Sequence, residues 1–524
     1  MKSYFVTTPI YYVNASPHIG HYYSTLIADV LARWHRQNGK TVNFQTGTDE
    51  HGQKIEQEAN RLGQTPQEFT DRIATQFEDT FRAAGFTYDR FIRTSEKIHC
   101  QTVQKLWHML TKQNYIYMGK YSGWYNVSDE TFVPKQQVEM RTKNSQEEQY
   151  YCINTGKQLV WQEEDNYLFR LSSFQDRLLE HYKNNPNWIV PQSRQREIIK
   201  FVEGGLEDLS VSRKRSTCNW GIEISENDII YVWLDALTNY LSGTLNQTEQ
   251  RHDHDTPVST EIYNTDIWPA DVHVVGKDIL KFHAVYWPAF LMAVGFPLPK
   301  KIIAHGWWTR DGEKISKSTG NVFDPIEKSK EYSTDIVRYY LLRETGFGTD
   351  GDFVDERMKT RLNSDLADTL GNLVTRVTAK SILPEGRVPL KPKDEDYVKE
   401  DRKIIEMVEN LVIKVDHLLS SELNIQQVLI GIWEVLFKLN RFFSDQAPWK
   451  LKRENESRYQ VVIYVILESL RIISLMLGPI IPDTAKRIQN MYHPCIIENP
   501  FSWGCLESNT VLSLPEKLIL FQKK

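Results

Sequence analysis

The chain has 524 residues, of which 40% are hydrophobic and 25% are charged, so we expect a globular protein of three or four domains with ample core. The formal net charge of −5 argues against a protein that coats nucleic acid non-specifically, so any nucleic-acid contact must be local. The five cysteines form no CxxC pair, which argues against a disulfide scaffold and indicates a reducing compartment.

The most apolar run of the chain covers residues 461–481. It contains Glu468 and Arg471, and each charge would cost about 2.5 to 3.5 kcal/mol at the centre of a bilayer. We therefore expect a buried helix of a bundle, and no membrane partner. The first strand begins within three residues of Met1, so we expect no signal peptide.

The apolar residues follow strand spacing over residues 2–12 and helical spacing over residues 19–37. The motif His-Ile-Gly-His that starts at His18 therefore lies at a helix N-terminus, where free N–H groups and the positive end of the helix dipole favour a phosphate. His21 stands one helical turn beyond His18 and adds a second imidazole. Gly20 has no side chain, so a ligand could stack against the backbone beside it.

The same motif is compatible with two other arrangements. Both histidines could be surface residues on the first turn of a helix. Alternatively, His18, His21 and His51 could bind a metal ion together, although no clear acidic second shell accompanies them.

A second predicted strand, residues 41–48, closes the first βαβ unit and runs into Asp49. Ligands of an open parallel sheet collect at the carboxyl ends of its strands, so Asp49 and the His18 turn should face one crevice. Asp49 could bind a substrate ammonium group. It could equally be the N-cap of the helix that follows.

From residue 117 to residue 220 the pattern loosens into irregular strands and turns, which predicts an insertion that interrupts the sheet. Strand formers return at residues 228–237, before a helix that carries Tyr240.

The strand predicted at residues 272–278 contains Gly276 near its end and then Asp278, a combination suited to ribose contact. His283 lies in the next helix among aromatic residues, where a packed histidine is the ordinary interpretation and a ligand-binding one the alternative.

A glycine-bounded loop follows at residues 311–321, with Lys314 and Lys317 three positions apart. Two lysines in such a loop could form a mobile clamp for a polyphosphate. A solvated basic turn is the simpler interpretation when the loop is taken alone.

The remainder, beyond residue 334, has helical periodicity and predicts an antiparallel bundle. Asn372 and Arg376 lie one turn apart, and Trp449 follows a proline, where it could present an exposed indole. The predicted fold class is α/β: a Rossmann-type parallel sheet split by a mixed α+β insertion, followed by a C-terminal α-helical bundle.

The pairing of residues 18–21 with the Lys-Ile-Ser-Lys-Ser run at residues 314–318 resembles the two signatures of class I aminoacyl-tRNA synthetases. Four further segments look like methionyl-tRNA synthetases: residues 9–14, 47–52, 232–236, and 276–279 with 282–283. The resemblance extends from residue 3 to about residue 449.

This resemblance implies ATP-dependent ligation of L-methionine to tRNA(Met) through methionyl-adenylate, with Mg²⁺ entering as part of the ATP complex. The implied catalytic residues are His18, His21, Lys314 and Lys317. The implied ATP-binding residues are Gly20, Gly276, Asp278 and Lys317. The implied methionine-binding residues are Ile10, Tyr12, Asp49 with its ionic partner Arg213, Trp233, Ala236, Leu237, Tyr240, Ile279 and His283. The implied anticodon-binding residues are Asn372, Arg376 and Trp449.

The resemblance also implies the domain boundaries. They are residues 1–116 and 226–327 for the halves of the catalytic domain, 117–225 for the connective insertion, 328–366 for a stem-contact region and 367–524 for the anticodon-binding bundle.

The insertion departs from relatives that carry a zinc knuckle of paired cysteines. Asn126 and Asp129 occupy the first pair of positions, and the second pair retains Cys152 opposite Thr155. A single thiolate cannot form a four-ligand structural site, so we predict no structural zinc and no metal site.

That departure, together with residues 209–213, resembles the mitochondrial branch of the family and implies the mitochondrial matrix, with the cytoplasm as the alternative because no Arg-rich transit peptide is visible. The chain ends after the bundle, so we expect a monomer.

Three other functions remain open at this point. A sibling synthetase for isoleucine, leucine, valine or cysteine would require, in its large members, a bigger editing insertion. A small-molecule nucleotidyltransferase would have no use for the bundle. A non-catalytic RNA-binding protein would not require both cationic pairs.

Overall fold

The computed structural model of the chain describes residues 3–127, 131–133, 137–143, 147–153, 155–245, 262–310, 312–315, 324–492, 499–514 and 519–524. The strands are β1 (Ser3–Tyr12), β2 (Thr41–Asp49), β3 (Arg90–Arg93), β4 (Ile116–Asn126), β5 (Thr131–Val133), β6 (Val138–Lys143), β7 (Glu147–Cys152), β8 (Gln158–Phe169), β9 (Ile189–Val190), β10 (Leu209–Ser210), β11 (Ser212–Lys214), β12 (Asp228–Ile230), β13 (Val272–Gly276), β14 (Ile302–His305), β15 (Trp308–Arg310), β16 (Glu313–Lys314) and β17 (Gly351–Asp352).

The α-helices are α1 (Ile19–Gln37), α2 (Gln53–Arg61), α3 (Pro66–Ala83), α4 (Lys97–Lys112), α5 (Gln175–Asn184), α6 (Gln192–Glu203), α7 (Val232–Ser242), α8 (Trp287–Val294), α9 (Pro325–Glu331), α10 (Thr334–Arg343), α11 (Asp355–Thr360), α12 (Asn372–Val377), α13 (Lys399–His417), α14 (Ile425–Gln446), α15 (Pro448–Glu454), α16 (Glu456–Leu477) and α17 (Pro482–Gln489). Helices with the wider π hydrogen-bond pattern cover Phe282–Tyr286, Arg361–Gly371 and Leu418–Glu422.

The chain divides into two compact units, the first made of residues 1–17 and 40–304 and the second of residues 18–39 and 305–524. The first unit contains a six-stranded sheet in the order β3-β2-β1-β13-β14-β9, in which β1 pairs in parallel with β2 and with β13. Most of β1 is buried, as expected for a central strand of a parallel sheet that is covered on both faces.

The insertion forms its own antiparallel sheet in the order β5-β4-β8-β7-β6, and β10 adds to β8. A small apolar cluster of Val133, Cys152 and Leu159 packs beneath Trp124 and Tyr150. Strand β9, which also falls within residues 117–225, joins the parallel sheet instead.

The prediction of a strand over residues 228–237 is wrong beyond residue 230. Strand β12 ends there, pairs with β11 in a separate two-stranded sheet, and is followed at once by α7. Leu234, Leu237 and Leu241 are buried at helical spacing, so tertiary packing overrides the β propensity of the run.

The second unit is mainly helical, includes α1, and also contains the small sheet β16-β15-β17. Asp29 of α1 is fully buried and pairs with Arg338 of α10 at 2.8 Å and with Arg33 at 2.7 Å. The Arg338 guanidinium also donates to the carbonyls of Pro479 and Ile480, both at 2.8 Å. This buried network holds α1, α10 and the turn before α17 together.

Helix α16 is the one described helix that is long and apolar enough to cross a membrane, and 89% of its most apolar window is buried inside the protein. Glu468 and Arg471 lie within it and form a bidentate pair at 2.8 and 2.9 Å. Arg471 also donates to the carbonyls of Pro500 and Ser502, so the charges are matched within the bundle.

The predicted α/β fold class is confirmed, since a parallel sheet is joined to an α+β insertion and followed by a C-terminal helical region. The finer domain boundaries given above stay predictions.

Candidate active site

The N-terminus of α1 is capped by two histidines. The Nδ1 atom of His18 accepts the N–H of Gly20 at 3.0 Å, and the Nδ1 atom of His21 accepts the N–H of His18 at 3.1 Å. The two rings stack with centroids 3.7 Å apart. A neutral imidazole that accepts at Nδ1 carries its proton on Nε2, so the cap fixes each ring as an Nε2–H donor.

Gly20 leaves room for this cap. A Cβ at this position would lie 2.9 Å from Cε1 of His18, closer than real Cβ atoms come, and 3.1 Å from its Nδ1, so the ring would have to shift. From the sequence, Gly20 is expected only to let a ligand approach the backbone. The structure adds that it makes room for an imidazole.

The lysine loop is described in part. Lys314 lies in β16, opposite Thr309 of β15, and Lys317 falls outside the described residues. The predicted convergence of Lys314 and Lys317 with the histidine pair stays a prediction.

Asp49 ends β2 beside Tyr12 of β1, in register across the parallel pair. The alternative role of Asp49 as a helix cap is wrong, because the N-cap of α2 is Gly52, which makes no side-chain cap bond. Ile10 pairs in the same way with Gly47, where a Cβ would meet the Ile92 carbonyl oxygen at 2.0 Å. The two strands therefore bring Ile10, Tyr12 and Asp49 to one edge of the sheet.

Helix α7 and the π-helix Phe282–Tyr286 place the predicted amino-acid side-chain residues together. The Tyr240 hydroxyl lies 2.7 Å from Nε2 of His283, and Nδ1 of His283 lies 2.9 Å from the Ile279 carbonyl oxygen. The Trp233 ring stacks on Phe282 with centroids 3.5 Å apart. Ala236 and Leu237 are buried in the same helix as Tyr240.

His283 is a neutral imidazole in this setting. Burial lowers its pKa to about 4, against the opposing effects of the Ile279 carbonyl and the Asp278 charge. Because Nδ1 faces a carbonyl oxygen it carries the proton, and Nε2 accepts the hydrogen bond from Tyr240. The pair offers an uncharged polar face in an otherwise aromatic wall.

Arg213 lies against aromatic rings in the same unit. Its guanidinium sits 4.1 Å from the centroid of Tyr231, and its Nη1 donates to the Ser210 hydroxyl at 3.0 Å and the Ser212 carbonyl at 2.7 Å. With His51 it lines a cavity of about 20 Å³, large enough for one water molecule. The predicted ionic pairing of Arg213 with Asp49 stays a prediction.

Gly276 is the last residue of β13, and Asp278 lies in the 3-10 turn Lys277–Ile279 directly after it. Both therefore stand at the carboxyl end of a central strand, the edge where ligands of such sheets collect.

Sequence reasoning missed a buried cluster around Asp235. The sequence suggested His51 only as a candidate third metal ligand. In the structure its Nδ1 lies 2.7 Å from Asp235 Oδ2, and His99 Nε2 lies 2.7 Å from Asp235 Oδ1. An acid inside the apolar run of α7 was the available signal, since a buried charge requires partners. Among the described residues, no group of three or more His, Cys, Asp or Glu is arranged to hold a metal ion.

The zinc-knuckle positions of the insertion can be placed in part. Cys152 and Asn126 are buried, Thr155 is exposed, and Asp129 lies outside the described residues. The prediction that the chain holds no structural zinc therefore stays a prediction.

In the second unit, Asn372 and Arg376 line an open cavity of about 460 Å³ together with Phe437 and Asn440. The Arg376 guanidinium lies 4.4 Å from the centroid of the Phe443 ring, and the Trp449 ring lies 5.9 Å from the same ring. The indole of Trp449 is 45% exposed. Phe443 thus contacts two of the three predicted anticodon-binding residues, Arg376 and Trp449, and the third, Asn372, lines the same cavity as Arg376.

Comparison with known proteins identifies the family. The family model described as tRNA synthetases class I (M) matches residues 4–378. The methionine--tRNA ligase of Rickettsia conorii is 44% identical over 493 residues, which cover 93% of this chain and 92% of the relative. That of Thermotoga maritima is 42% identical, over 93% of this chain and 74% of the relative.

A solved structure is similar over almost the whole length. The Mycobacterium tuberculosis methionyl-tRNA synthetase in complex with methionyl-adenylate is 38% identical, with a TM-score of 0.90 over 99% of this chain and 100% of that one. The chain described here belongs to the methionyl-tRNA synthetase family of class I tRNA synthetases.

Proposed function

We propose that the first unit binds L-methionine beside α7, and that the histidines of α1 and the lysine loop bind the phosphates of ATP. Membership of the family makes the overall reaction the ATP-dependent ligation of methionine to tRNA(Met) through methionyl-adenylate. The methionine carboxylate attacks the α-phosphorus and releases pyrophosphate. A ribose hydroxyl of the terminal tRNA nucleotide then attacks the activated carbonyl and releases AMP.

Neither step requires a protein nucleophile, so the work of the chain is positioning and charge stabilisation. His18 and His21 would donate from Nε2 to phosphate oxygens, and Lys314 and Lys317 would supply positive charge to them. Gly276 and Asp278 would contact the ribose. Mg²⁺ would arrive with ATP, bound by its phosphates.

The contact between Tyr240 and the neutral His283 carries the assignment of the methionine site. A thioether is uncharged and polarizable, so it suits an aromatic wall with one weakly polar face better than it suits an ion pair. Asp49, at the edge of the sheet, would bind the ammonium group, with Arg213 as its ionic partner.

Pyrophosphate exchange with each of the twenty amino acids tests this function. We expect exchange that depends on methionine alone. Exchange with isoleucine, leucine, valine or cysteine would instead identify a sibling synthetase. The absence of exchange with every amino acid, in a chain that still binds RNA, would identify a binding protein.

The open cavity of the second unit would bind unpaired anticodon bases. Asn372 and Arg376 offer hydrogen bonds and Trp449 offers an exposed stacking surface, the combination by which proteins read single-stranded RNA. Aminoacylation of a CAU-anticodon tRNA and of a variant with one changed anticodon base, both with the wild-type chain, tests this assignment. Equal rates would contradict it.

We further propose a mitochondrial-type enzyme without a zinc knuckle, located in the matrix, with the cytoplasm as the alternative. The support is the sequence at the knuckle positions Asn126, Asp129, Cys152 and Thr155, together with residues 209–213. Immunolocalisation of the native protein tests the compartment, and elemental analysis of the purified chain tests the zinc. We also propose a monomer of 61.4 kDa, which light scattering would measure.

A further inference from the structure

Asp235 is a fully buried acid, and each of its two carboxylate oxygens contacts a histidine from another part of the fold. Its Oδ2 lies 2.7 Å from Nδ1 of His51, which follows β2, and its Oδ1 lies 2.7 Å from Nε2 of His99 in α4. The exposed fractions of Asp235 and His99 are 0%, and that of His51 is 6%.

A carboxylate in such a place is costly unless its partners remain in position. Burial alone would raise the pKa of Asp235, but the charge and hydrogen bonds of His51 and His99 outweigh it and lower the pKa to about 2. The carboxylate is therefore ionised, and its two contacts cannot be exchanged for solvent.

The two contacts fix α7 against the turn that carries the predicted ammonium-binding residue. His51 is two residues beyond Asp49, and Asp235 lies on the same helix as Trp233 and Tyr240. The ring of Trp220 packs edge-on to that of His51 at 5.3 Å, and its indole N–H donates to the carbonyl of Glu50, so Trp220 contacts the same turn.

Three further hydrogen bonds, made by two residues outside the helix, hold α7 in the same orientation. Gln45 of β2 donates to the Asn239 side chain at 2.7 Å and to its carbonyl at 3.1 Å. His99 Nδ1 lies 2.8 Å from the Ser242 hydroxyl at the end of the helix. Helix α7 is thus bonded to β2 through Asn239, to the turn after β2 through Asp235, and to α4 through Asp235 and Ser242.

We propose that Asp235 is a positioning residue for amino-acid binding: through His51 and His99 it fixes the separation between Asp49 and the side-chain wall of Trp233 and Tyr240. It touches no substrate itself. This inference rests on the proposed function, because it takes Asp49 as the ammonium site and α7 as the thioether wall. The length of side chain that the pocket accepts follows from that separation.

The test uses the full chain and pyrophosphate exchange with methionine and with ethionine, which is one methylene longer. For Asp235→Asn we expect KM for methionine to rise about 10-fold or more, with KM for ATP within about 2-fold of wild type. We also expect the preference for methionine over ethionine to fall, since a rigid apolar pocket separates such ligands by about 10- to 200-fold.

A rescue pair separates positioning from general loss of packing. His51→Asn places an amide nitrogen where Nδ1 stood, so it should keep KM for methionine near the wild-type value. His51→Leu has no such group and should raise KM for methionine as Asp235→Asn does. Glu468→Gln is the matched control, because it breaks another fully buried acid–base pair, in the second unit. It should lower the melting temperature and leave the methionine KM and the methionine preference unchanged.

The inference is overturned if KM for methionine and KM for ATP rise together, if neither rises more than in Glu468→Gln, or if His51→Asn and His51→Leu are equally impaired. Should Asp235→Asn fail to fold, as judged by circular dichroism, the His51 pair decides alone. If the wild-type chain shows no methionine-dependent exchange, the proposed function fails. If the wild-type chain shows methionine-dependent exchange but the variants leave KM for methionine unchanged, this inference alone fails.

Discussion

The Tyr240 hydroxyl lies 2.7 Å from Nε2 of His283, and the imidazole is held in turn by the Ile279 carbonyl. Tyr240→Phe removes the donor and leaves a buried nitrogen without its partner, a change worth about 1 kcal/mol. We expect KM for methionine to rise roughly 5-fold in pyrophosphate exchange, with kcat little changed, since the contact acts on binding.

Tyr464→Phe is the control for that variant. It removes another buried hydroxyl, which donates to the Leu506 carbonyl at 3.0 Å in the second unit. It should cost similar stability and leave KM for methionine unchanged. Equal effects of the two variants on KM would contradict the placement of Tyr240 in the methionine pocket.

Two buried groups should make stability fall with acid. Burial lowers the pKa of His283 from 6.5 to about 4, so between these values the unfolded chain binds a proton that the folded chain does not. The pKa of Asp235 is lowered from 3.8 to about 2, because its histidine partners outweigh the effect of burial. Above pH 6.5 neither group lowers the stability; the His283 contribution is lost progressively between pH 6.5 and about 4, and the Asp235 contribution between pH 3.8 and about 2.

Urea unfolding followed by tryptophan fluorescence from pH 4 to pH 8 measures the first of these effects. His283→Gln should flatten the dependence of the free energy of unfolding on pH between about 4 and 6.5. An unchanged slope in this variant would show that His283 titrates alike in both states.

The two nitrogens of His21 serve different purposes, so two amide substitutions should separate them. His21→Asn places an acceptor near the position of Nδ1, which keeps the cap of α1, but it loses the Nε2–H donor. We expect near-normal stability and a kcat about 10²-fold lower, comparable to the loss of one oxyanion donor. His21→Gln should show the reverse, a lower melting temperature with most of kcat retained.

The measurements for these variants are single-turnover adenylate formation and thermal unfolding. Lys317→Ala should lower kcat by a similar factor of about 10² if the lysine loop binds the same phosphates. The donor role of His21 would be refuted if His21→Asn kept its full kcat.

Asp29 and Arg338 form a fully buried pair at 2.8 Å. Asp29→Asn leaves the guanidinium buried without its counter-charge, so we expect a loss of about 3 to 5 kcal/mol in the free energy of unfolding. Asp79→Asn is the control, because Asp79 pairs with Arg82 at the surface, where the cost should be below about 1 kcal/mol. Chemical denaturation of both variants checks this, and equal costs would contradict it.

The sequence alone was sufficient to predict the α/β fold class, the helix N-terminus at His18 and the family. These are local or short-range properties: apolar periodicity reports which face of an element is buried, and a motif of a few residues reports its own backbone environment. The resemblance then supplied candidate pocket residues from distant parts of the chain, and several of them, such as Tyr240 and His283, meet in the structure.

Tertiary structure alone determined which polar groups meet and which nitrogen of each histidine carries the proton. Asp235 lies 184 residues from His51 and 136 residues from His99 along the chain, and no local pattern pairs groups at such separations. The same long-range packing begins α7 at Val232, inside a run with high strand propensity. Charge state, tautomer and helix start follow from burial and partners, and both are set by the folded neighbours rather than by the residues adjacent in sequence.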